Sequence, residues 1–495
     1  IRVAAGGIEF GLEEEVGAVQ VGASVLRALP GLLRATDFKG TAVLADRNLI
    51  DFEPGDTADV SFGAAFDIGT TTVVGTLLDL TTGGEHAVVS RMNPQAPWGD
   101  DVLSRITHAG ESPEGLERLR AAMCDALDEM VEELCAAGGT DCSRIYEVAF
   151  AGNTTMEHLL CGIDPTALGH VPFAPAYARG LVLPAHELGL SIHPRGHAYV
   201  FPVVGGFVGG DTVAGMLATG LTELESPSMM VDVGTNGEIV LVHEGQVWAA
   251  STAAGPAFEG ARISCGMRAT TGAIEKVRIR DEVEIGVIDN AAPVGLCGSG
   301  LIDLVAQLLD HGLVTPEGRL LGPEEVPGSM PDTLRARLER DDAGGTSFRI
   351  ADGAPETGPV RLVQKDVREL QLASGALRAG MAILLKQAGL RMEDLRHVLI
   401  AGGFGSFIRR SNAQRIGLFP AGVAHQRLLY VGNSSLSGAR AALLSRSARK
   451  RAEALARAAR HIELSRDTEF ALEFAMAMQF PAPETQAAQL TGSTS

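Results

Sequence analysis

Two short stretches of the chain, 165 residues apart (232 minus 67), repeat one pattern: Ala65-Phe66-Asp67-Ile68-Gly69-Thr70-Thr71-Thr72-Val73-Val74 and Met230-Val231-Asp232-Val233-Gly234-Thr235-Asn236-Gly237-Glu238-Ile239. Each reads apolar, Asp, apolar, Gly, Thr, polar, then a second apolar run, which is a strand, a tight turn and a second strand. A repeat at about the spacing of one domain predicts two similar α/β lobes, each opening on the same hairpin. One Asp-x-Gly-Thr is an ordinary hairpin turn. Two in register favour a site shared by the lobes.

At such a bend, backbone N–H groups and Thr hydroxyls converge on one point, which suits phosphate oxygens. An Asp just before the bend can hold a magnesium ion, usually through water. A third element, His397-Val398-Leu399-Ile400-Ala401-Gly402-Gly403-Phe404-Gly405-Ser406, is an apolar strand running into a glycine turn, where a flat ring can lie against bare backbone. Familiar alternatives are missing: the chain contains no Gly-Lys dipeptide and hence no Walker A loop, and no GxGxxG, HExxH or GxSxG.

Two phosphate hairpins one lobe apart, followed by an adenosine-type Gly-Gly turn, resemble the superfamily of acetate and sugar kinases, Hsp70 and actin, over roughly residues 64–444. The fold this implies is α/β, with duplicated ribonuclease H-like lobes and a small α/β unit ahead of them. Gly209-Gly210-Asp211-Thr212-Val213-Ala214-Gly215-Met216 looks like the stretch that carries the catalytic base in hexokinase-like members, making Asp211 the candidate base. A helix N-cap for Thr212 onward is an equally available role for Asp211.

Finer motifs narrow the resemblance. Phe66-Asp67-Ile68-Gly69-Thr70-Thr71-Thr72, Asn93-Pro94-Gln95, Ala151-Gly152-Asn153-Thr154-Thr155-Met156, Ala254-Gly255-Pro256-Ala257-Phe258-Glu259-Gly260, Ser264-Cys265-Gly266-Met267-Arg268, Gly298-Ser299-Gly300-Leu301-Ile302-Asp303, Gln364-Lys365-Asp366-Val367-Arg368-Glu369 and Gly432-Asn433-Ser434-Ser435 together resemble the reductive activators of corrinoid proteins. That resemblance implies ATP-dependent return of a corrinoid methyl-transfer partner from Co(II) to Co(I). The uphill electron transfer would be coupled to a conformational change driven by ATP. It further implies that Asp67 and Asp232 organise the metal and act with Asp211 and Glu259 in catalysis. Gly69, Thr70, Thr71, Thr72, Gly234, Thr235, Asn236 and Gly237 would bind phosphate, and Gly402, Gly403 and Phe404 would line the adenosine side.

Asn153 and Glu259 fall in matching motifs and are candidates for orienting water or metal; a helix cap and a solvated loop carboxylate are their plainer roles. In the family a [2Fe-2S] ferredoxin-like domain comes first. This chain has no cluster-binding cysteine run, so that cluster is expected only in an upstream domain. Cys265 and Cys297 read as ordinary thiols rather than a cluster shared across a dimer as in related dehydratase activators. A homodimer is expected on the resemblance alone. A small-molecule kinase and a non-catalytic ATP-binding switch remain the alternative functions.

Composition agrees with a cytoplasmic α/β enzyme. The 495 residues carry a net charge of −20, which argues against a nucleic-acid partner. Ala198 to Gly210, the most apolar run, is too short and too glycine-rich to span a membrane. Six cysteines without a CxxC pair read as scattered reduced thiols. A start at Ile-Arg-Val without Met reads as part of a longer polypeptide. The expected organisation is a small α/β middle domain or its remnant at 1–60, a first lobe at 64–227, a second at 228–445, and a C-terminal helix and tail at 446–495. Gly322 to Gly358 is expected to be loop, and Arg440 to Arg460 a single Ala-rich helix with a solvated basic face.

Overall fold

A computed structural model describes residues 2–4, 7–9, 19–341, 344–353, 358–403, 408–419 and 422–482. After a hairpin of β1 (Arg2–Ala4) and β2 (Gly7–Glu9), the chain forms β3 (Gln20–Val21), α1 (Ala23–Ala35), β4 (Gly40–Ala45) and β5 (Asn48–Pro54), in a sheet ordered β3-β5-β4. Helix α1 buries Val25, Leu29 and Leu33, one per turn, and Leu29 and Leu33 pack on Phe52. The small unit is tied to the next by His193 Nε2 to Asp51 (2.9 Å) and by Tyr146, whose hydroxyl donates to Glu53 (2.7 Å).

The first repeated stretch folds as β6 (Phe62–Ile68) and β7 (Thr72–Asp79), followed by β8 (Glu85–Met92), α2 (Val102–Glu111), α3 (Pro113–Gly138), β9 (Ile145–Gly152), α4 (Thr154–Leu160), β10 (Leu181–Pro184), β11 (His197–Val200) and α5 (Gly210–Thr219). Its six-stranded sheet runs β10-β11-β9-β6-β7-β8, with β6, β7 and β8 an antiparallel meander, β9 parallel to β6 and β11 parallel to β9. The second stretch begins an equivalent lobe: β12 (Ser228–Val233), β13 (Gly237–His243) and β14 (Gln246–Thr252) form the same meander.

Between these strands and the rest of their sheet come β15 (Ala273–Ile279), β16 (Val283–Val287), β17 (Gly295–Leu296), α6 (Gly298–Asp310), α7 (Asp332–Arg335), β18 (Leu338–Arg340), β19 (Thr346–Ala351), β20 (Val360–Val363) and α8 (Gln364–Gln387). Strand β21 (His397–Ala401), α9 (Arg410–Arg415), β22 (Leu428–Gly432), α10 (Ser434–Leu444), α11 (Arg446–Ala458), β23 (Ala459–His461) and α12 (Phe470–Ala477) follow. The second six-stranded sheet is ordered β22-β21-β12-β13-β14-β23, with β21 parallel to β12 and β22 parallel to β21. The two lobes thus repeat one five-strand plan, with the sixth strand on opposite edges. This is the duplicated α/β unit that the repeated hairpin predicts, in the ribonuclease H-like form that the superfamily resemblance implies. Their inner parallel strands are buried on both faces, so β21 reads as the continuous apolar run Val398-Leu399-Ile400-Ala401.

Helices α5 and α10 occupy equivalent places and pack on each other where the lobes meet. The approach is close enough to require glycine: a Cβ on Gly438 would lie 2.1 Å from the Ala214 carbonyl oxygen. Val213, Ala214 and Met216 from one side share a core with Met230, Leu399, Leu436 and Ala439 from the other.

Three expectations are corrected. Residues 322–358 contain α7 and two strands of the sheet β18-β19-β20, whose core side chains Phe348 and Ile350 alternate with half-buried positions as a strand requires. The basic C-terminal stretch is two helices parted at Ser445, whose hydroxyl caps α11 by accepting from Ala448 N (3.3 Å). Two of its arginines are drawn into contacts: Arg449 pairs with Glu147 (2.6 Å) and lies over the Tyr199 ring (4.6 Å), while Arg451 pairs with Glu223 (2.6 Å); Arg446, Arg457 and Arg460 are exposed, as a solvated face requires. Cys135 and Cys142, with Cα atoms 5.7 Å apart, form a disulfide, leaving Cys124, Cys161, Cys265 and Cys297 as free thiols.

Candidate functional site

Each repeated hairpin delivers its Asp and its turn to the same cleft. In the first turn Gly69 N donates to Thr72 O (3.0 Å), and Asn93 takes the carbonyls on either side, with Nδ2 on Gly69 O (2.8 Å) and its backbone N on Thr71 O (2.9 Å). Asn153 Nδ2 donates to the Thr70 hydroxyl (2.9 Å) while its Oδ1 accepts from Met156 N (3.0 Å), so Asn153 caps α4 and touches the turn at once. In the second turn the Thr235 hydroxyl donates to Glu259 Oε1 (2.6 Å). The turns meet: Thr71 Oγ1 and Thr235 Oγ1 are 2.9 Å apart, although the residues are 164 positions apart in sequence. Arg268 from the second lobe reaches the first, donating Nη2 to Thr71 O (3.2 Å).

A cavity of about 460 Å³ opens there, lined by Asp67, Gly69, Thr70, Thr71, Thr72, Asn153, Asp211, Asp232, Gly234, Thr235, Asn236, Glu259, Gly402 and Gly403 among others. Two expected members behave differently. Gly237 sits in β13 beneath Leu377, where a Cβ would lie 2.2 Å from a Leu377 methyl, so it serves packing rather than the cavity wall. Phe404 lies outside the described residues. Gly402 has φ +100°, and a Cβ there would come within 2.7 Å of Val233 O and 2.9 Å of Asp232 Oδ1. Only glycine allows the third loop to lie this close to the second Asp. Asp211 is not the N-cap of α5, a place held by Gly209; it stands in the first turn, accepting from Thr212 N (2.6 Å) and the Thr212 hydroxyl (3.2 Å).

Asp67 and Asp211, together with Asp232, crowd negative charge into the cleft. Burial raises Asp232 to about 7, aided by the charges of Asp211 and Asp67. Burial likewise raises Asp211 to about 6, with Asp67 adding repulsion. Asp67 is also raised by burial, against which Ser435 and Asn433 work: Ser435 Oγ and Asn433 Nδ2 each donate to it at 2.8 Å.

Several residues here carry no assignment from sequence. Glu238, beside the turn in β13, is buried and pushed well above its usual range by burial and then by Asp211 and Asp232. Glu157, wholly buried behind α5, is raised by burial and held by the Tyr177 hydroxyl (2.8 Å) and Gly152 N (3.3 Å). Asn433 and Ser435 lie in a recognisable motif, but only the fold shows that they cross between lobes to Asp67. Among the described residues no three His, Cys, Asp or Glu side chains are placed to hold a metal ion between them. The donor set suits a hard cation that takes one or two carboxylates and completes its shell with water and phosphate, as Mg²⁺ does.

Duplicated lobes with facing Asp-x-Gly-Thr turns at the base of their cleft define the acetate and sugar kinase, Hsp70 and actin class. Residues 226–491 match the C-terminal domain of RACo, the ASKHA domain, residues 62–224 the RACo middle region and residues 8–59 the RACo linker region. The chain belongs to the RACo family. The name middle domain therefore moves from the small N-terminal unit to the first lobe.

The chain is similar to the corrinoid activation enzyme RamQ of Eubacterium limosum, 37% identical over 442 residues that cover 88% of this chain and 74% of that protein. It is similar also to the [Co(II) methylated amine-specific corrinoid protein] reductase of Methanosarcina barkeri, 27% identical over 419 residues, 78% of this chain and 70% of that one. A solved structure of a reductive activator for corrinoid, iron-sulfur protein superposes with a TM-score of 0.87 at 36% identity, covering 96% of this chain and 75% of the other.

Proposed function

We propose that the protein is an ATP-hydrolysing reductive activator, which returns a corrinoid protein of a methyltransferase system from Co(II) to Co(I). The observation that carries this reading is the meeting of the two repeated turns, Thr71 to Thr235 at 2.9 Å, on a cavity edged by Asp67, Asp211 and Asp232, in a chain whose relatives bear corrinoid-activator names. Asp67 and Asp232 would hold Mg²⁺, which when bound offsets phosphate charge. Thr70, Thr71, Thr72, Gly234, Thr235 and Asn236 would bind the phosphates, and Gly402 and Gly403 would flank adenosine. Asp211, its carboxyl shifted toward neutral pH, would take the proton from the attacking water. Asn153 and Glu259 would orient that water through their turn threonines.

The balance is one electron from an external donor to Co(II), with ATP and water giving ADP and phosphate. The family resemblance supports a [2Fe-2S] domain upstream, a homodimer and a cytoplasmic location. We place the working units at 1–60, 64–227, 228–445 and 446–495. Among the described residues no helix is long and apolar enough to cross a membrane.

Mixed with a Co(II) corrinoid protein and a low-potential electron donor, the protein is expected to generate Co(I) absorbance only with Mg-ATP. Equal reduction without ATP, or phosphorylation of a small molecule at a rate indifferent to the corrinoid protein, overturns the reading. Analytical ultracentrifugation tests the dimer.

A further inference from the structure

Arg105, on α2, is 1% exposed and ranks among the largest fully buried side chains of the protein. Its guanidinium donates Nη2 to Thr70 O (2.6 Å), Nε to Gly99 O (3.0 Å), and Nη1 to Gln95 Oε1 (3.3 Å) and Met156 Sδ (3.2 Å). All four acceptors are neutral. The nearby carboxylates Asp101 and Asp100 favour its charge but are not among its hydrogen-bond partners. A buried cation whose acceptors are all neutral is expensive to keep, and near the N-terminal end of a helix it also has the unfavourable sign for the helix dipole. Neither core packing nor helix stability accounts for an arginine at this place. Burial lowers it to about 10, so the guanidinium stays charged at neutral pH.

What the side chain does accomplish is seen at the first turn. Asn93 donates to the Gly69 and Thr71 carbonyls, the latter shared with Arg268, and the Thr70 carbonyl between them accepts from Arg105. A peptide unit is planar with its N–H opposed to its C=O, so anchoring the Gly69 and Thr70 carbonyls also fixes the directions of the Thr70 and Thr71 N–H groups. Gln95 is itself secured through Nε2 to Leu119 O (2.9 Å), which anchors the whole bracket in α3. The sequence pattern Asn93-Pro94-Gln95 followed by Arg105 thus builds a second layer behind the turn.

We propose that Arg105 is a positioning residue for phosphate binding: fixed behind Thr70, its guanidinium holds the turn in one shape and, with Arg268 on the cavity wall, places positive charge beside the phosphate side of a cleft rich in carboxylates. The role presupposes the ATP reading given above. It predicts a selective defect, because that reading puts the phosphates at this turn and adenosine at Gly402 and Gly403.

The test is calorimetric binding of Mg-ATP and of adenosine to the full chain and to its Arg105→Gln and Arg105→Lys variants, with folding checked by circular dichroism. Arg105→Gln is expected to weaken Mg-ATP about 10- to 100-fold, the loss typical of a charge-assisted contact, with adenosine affinity held within about twofold. Arg105→Lys keeps the charge but not the fork, and is expected to lose about three- to tenfold for Mg-ATP alone. Unchanged Mg-ATP affinity in the variants overturns the proposal, as does an equal loss for adenosine and Mg-ATP, which marks a purely structural residue. If Arg105→Gln does not fold, the Mg-ATP to adenosine ratio in Arg105→Lys decides. A wild-type chain that binds adenosine but no Mg-ATP overturns the ATP reading itself, an outcome distinct from wild-type binding that the variants retain.

Discussion

Asp67 belongs to the first lobe, yet both of its described hydrogen-bond donors, Asn433 and Ser435, come from the start of α10 in the second. Ser435→Ala removes one O–H to carboxylate bond of 2.8 Å, made by a residue that is only 4% exposed. Such a bond to an ionised acceptor contributes about 1.5–3 kcal/mol. Because Asn433 still serves the other oxygen, the lower half of that range is expected.

The pH dependence has a definite sign. The folded-state pKa of Asp67 is raised above 3.8, so the stability this group contributes is full below 3.8 and is lost as pH rises through the folded value. Ser435 counters that rise, and deleting its hydroxyl lifts the folded value further. The penalty of Ser435→Ala should therefore be small in acid and grow toward alkaline pH. Urea unfolding at about pH 5 and about pH 8 measures it, and a double-mutant cycle with Asp67→Asn isolates the pair, with an expected coupling of about 1 kcal/mol at the higher pH. A coupling within about 0.3 kcal/mol of zero at both pH values, or a penalty that shrinks as pH rises, would refute the argument.

Three further outcomes are expected. Asp211→Ala should keep Mg-ATP binding by calorimetry but lose about 10²- to 10⁴-fold in ATP turnover, and a loss of binding instead would assign Asp211 to the phosphate or metal contacts. Glu157→Gln should flatten the pH dependence of stability: burial raises Glu157 well above 4.5, so the wild type loses stability as pH climbs, and a variant that tracks the wild-type curve contradicts the assignment. Gly438→Ala should destabilise the protein by about 1–3 kcal/mol in urea unfolding, since its Cβ would lie 2.1 Å from Ala214 O, and a silent substitution would mean the α5–α10 contact is looser than described.

The duplicated fold was legible because its signal is local and repeated: a hairpin with Asp before the bend carries the same apolar pattern wherever it occurs. The glycine turn after β21 was legible for a similar reason, since Gly402 adopts a backbone conformation that other residues disfavour. What escaped is what only the third dimension brings together. Glu238 looks like any strand residue, and Arg105 like any surface arginine of an amphipathic helix. The strands at 338–363 hid among Pro, Gly and Asp, which mark turns but say nothing about short strands between them. Gly237, read as part of a phosphate-type motif, has a packing role that the motif does not reveal, since it makes room for Leu377.

The positions of Asp211 and of the Asp67 donors connect the site to the joint between lobes. Asp211 stands in the first turn of α5, and Ser435 in the first turn of α10, with Asn433 capping that helix through its Oδ1 to Leu436 N (2.8 Å). These are the two equivalent helices that cross at Gly438. A charge change at the cleft therefore bears on the N-terminal ends of the very elements whose packing sets how the lobes meet. Packed helices with a glycine crossing resist continuous deformation and shift between discrete arrangements. Phosphate chemistry between the turns and rearrangement of the lobes would then be one event seen at the N-terminal ends and at the crossing of α5 and α10, which is the coupling that an uphill electron transfer requires of its nucleotide. The Ser435→Ala and Gly438→Ala variants separate the cleft end of the helix from its crossing point: if both leave nucleotide binding intact yet uncouple ATP turnover from Co(I) formation, the helix pair is the connection, and if turnover and reduction stay coupled in both, the connection runs elsewhere.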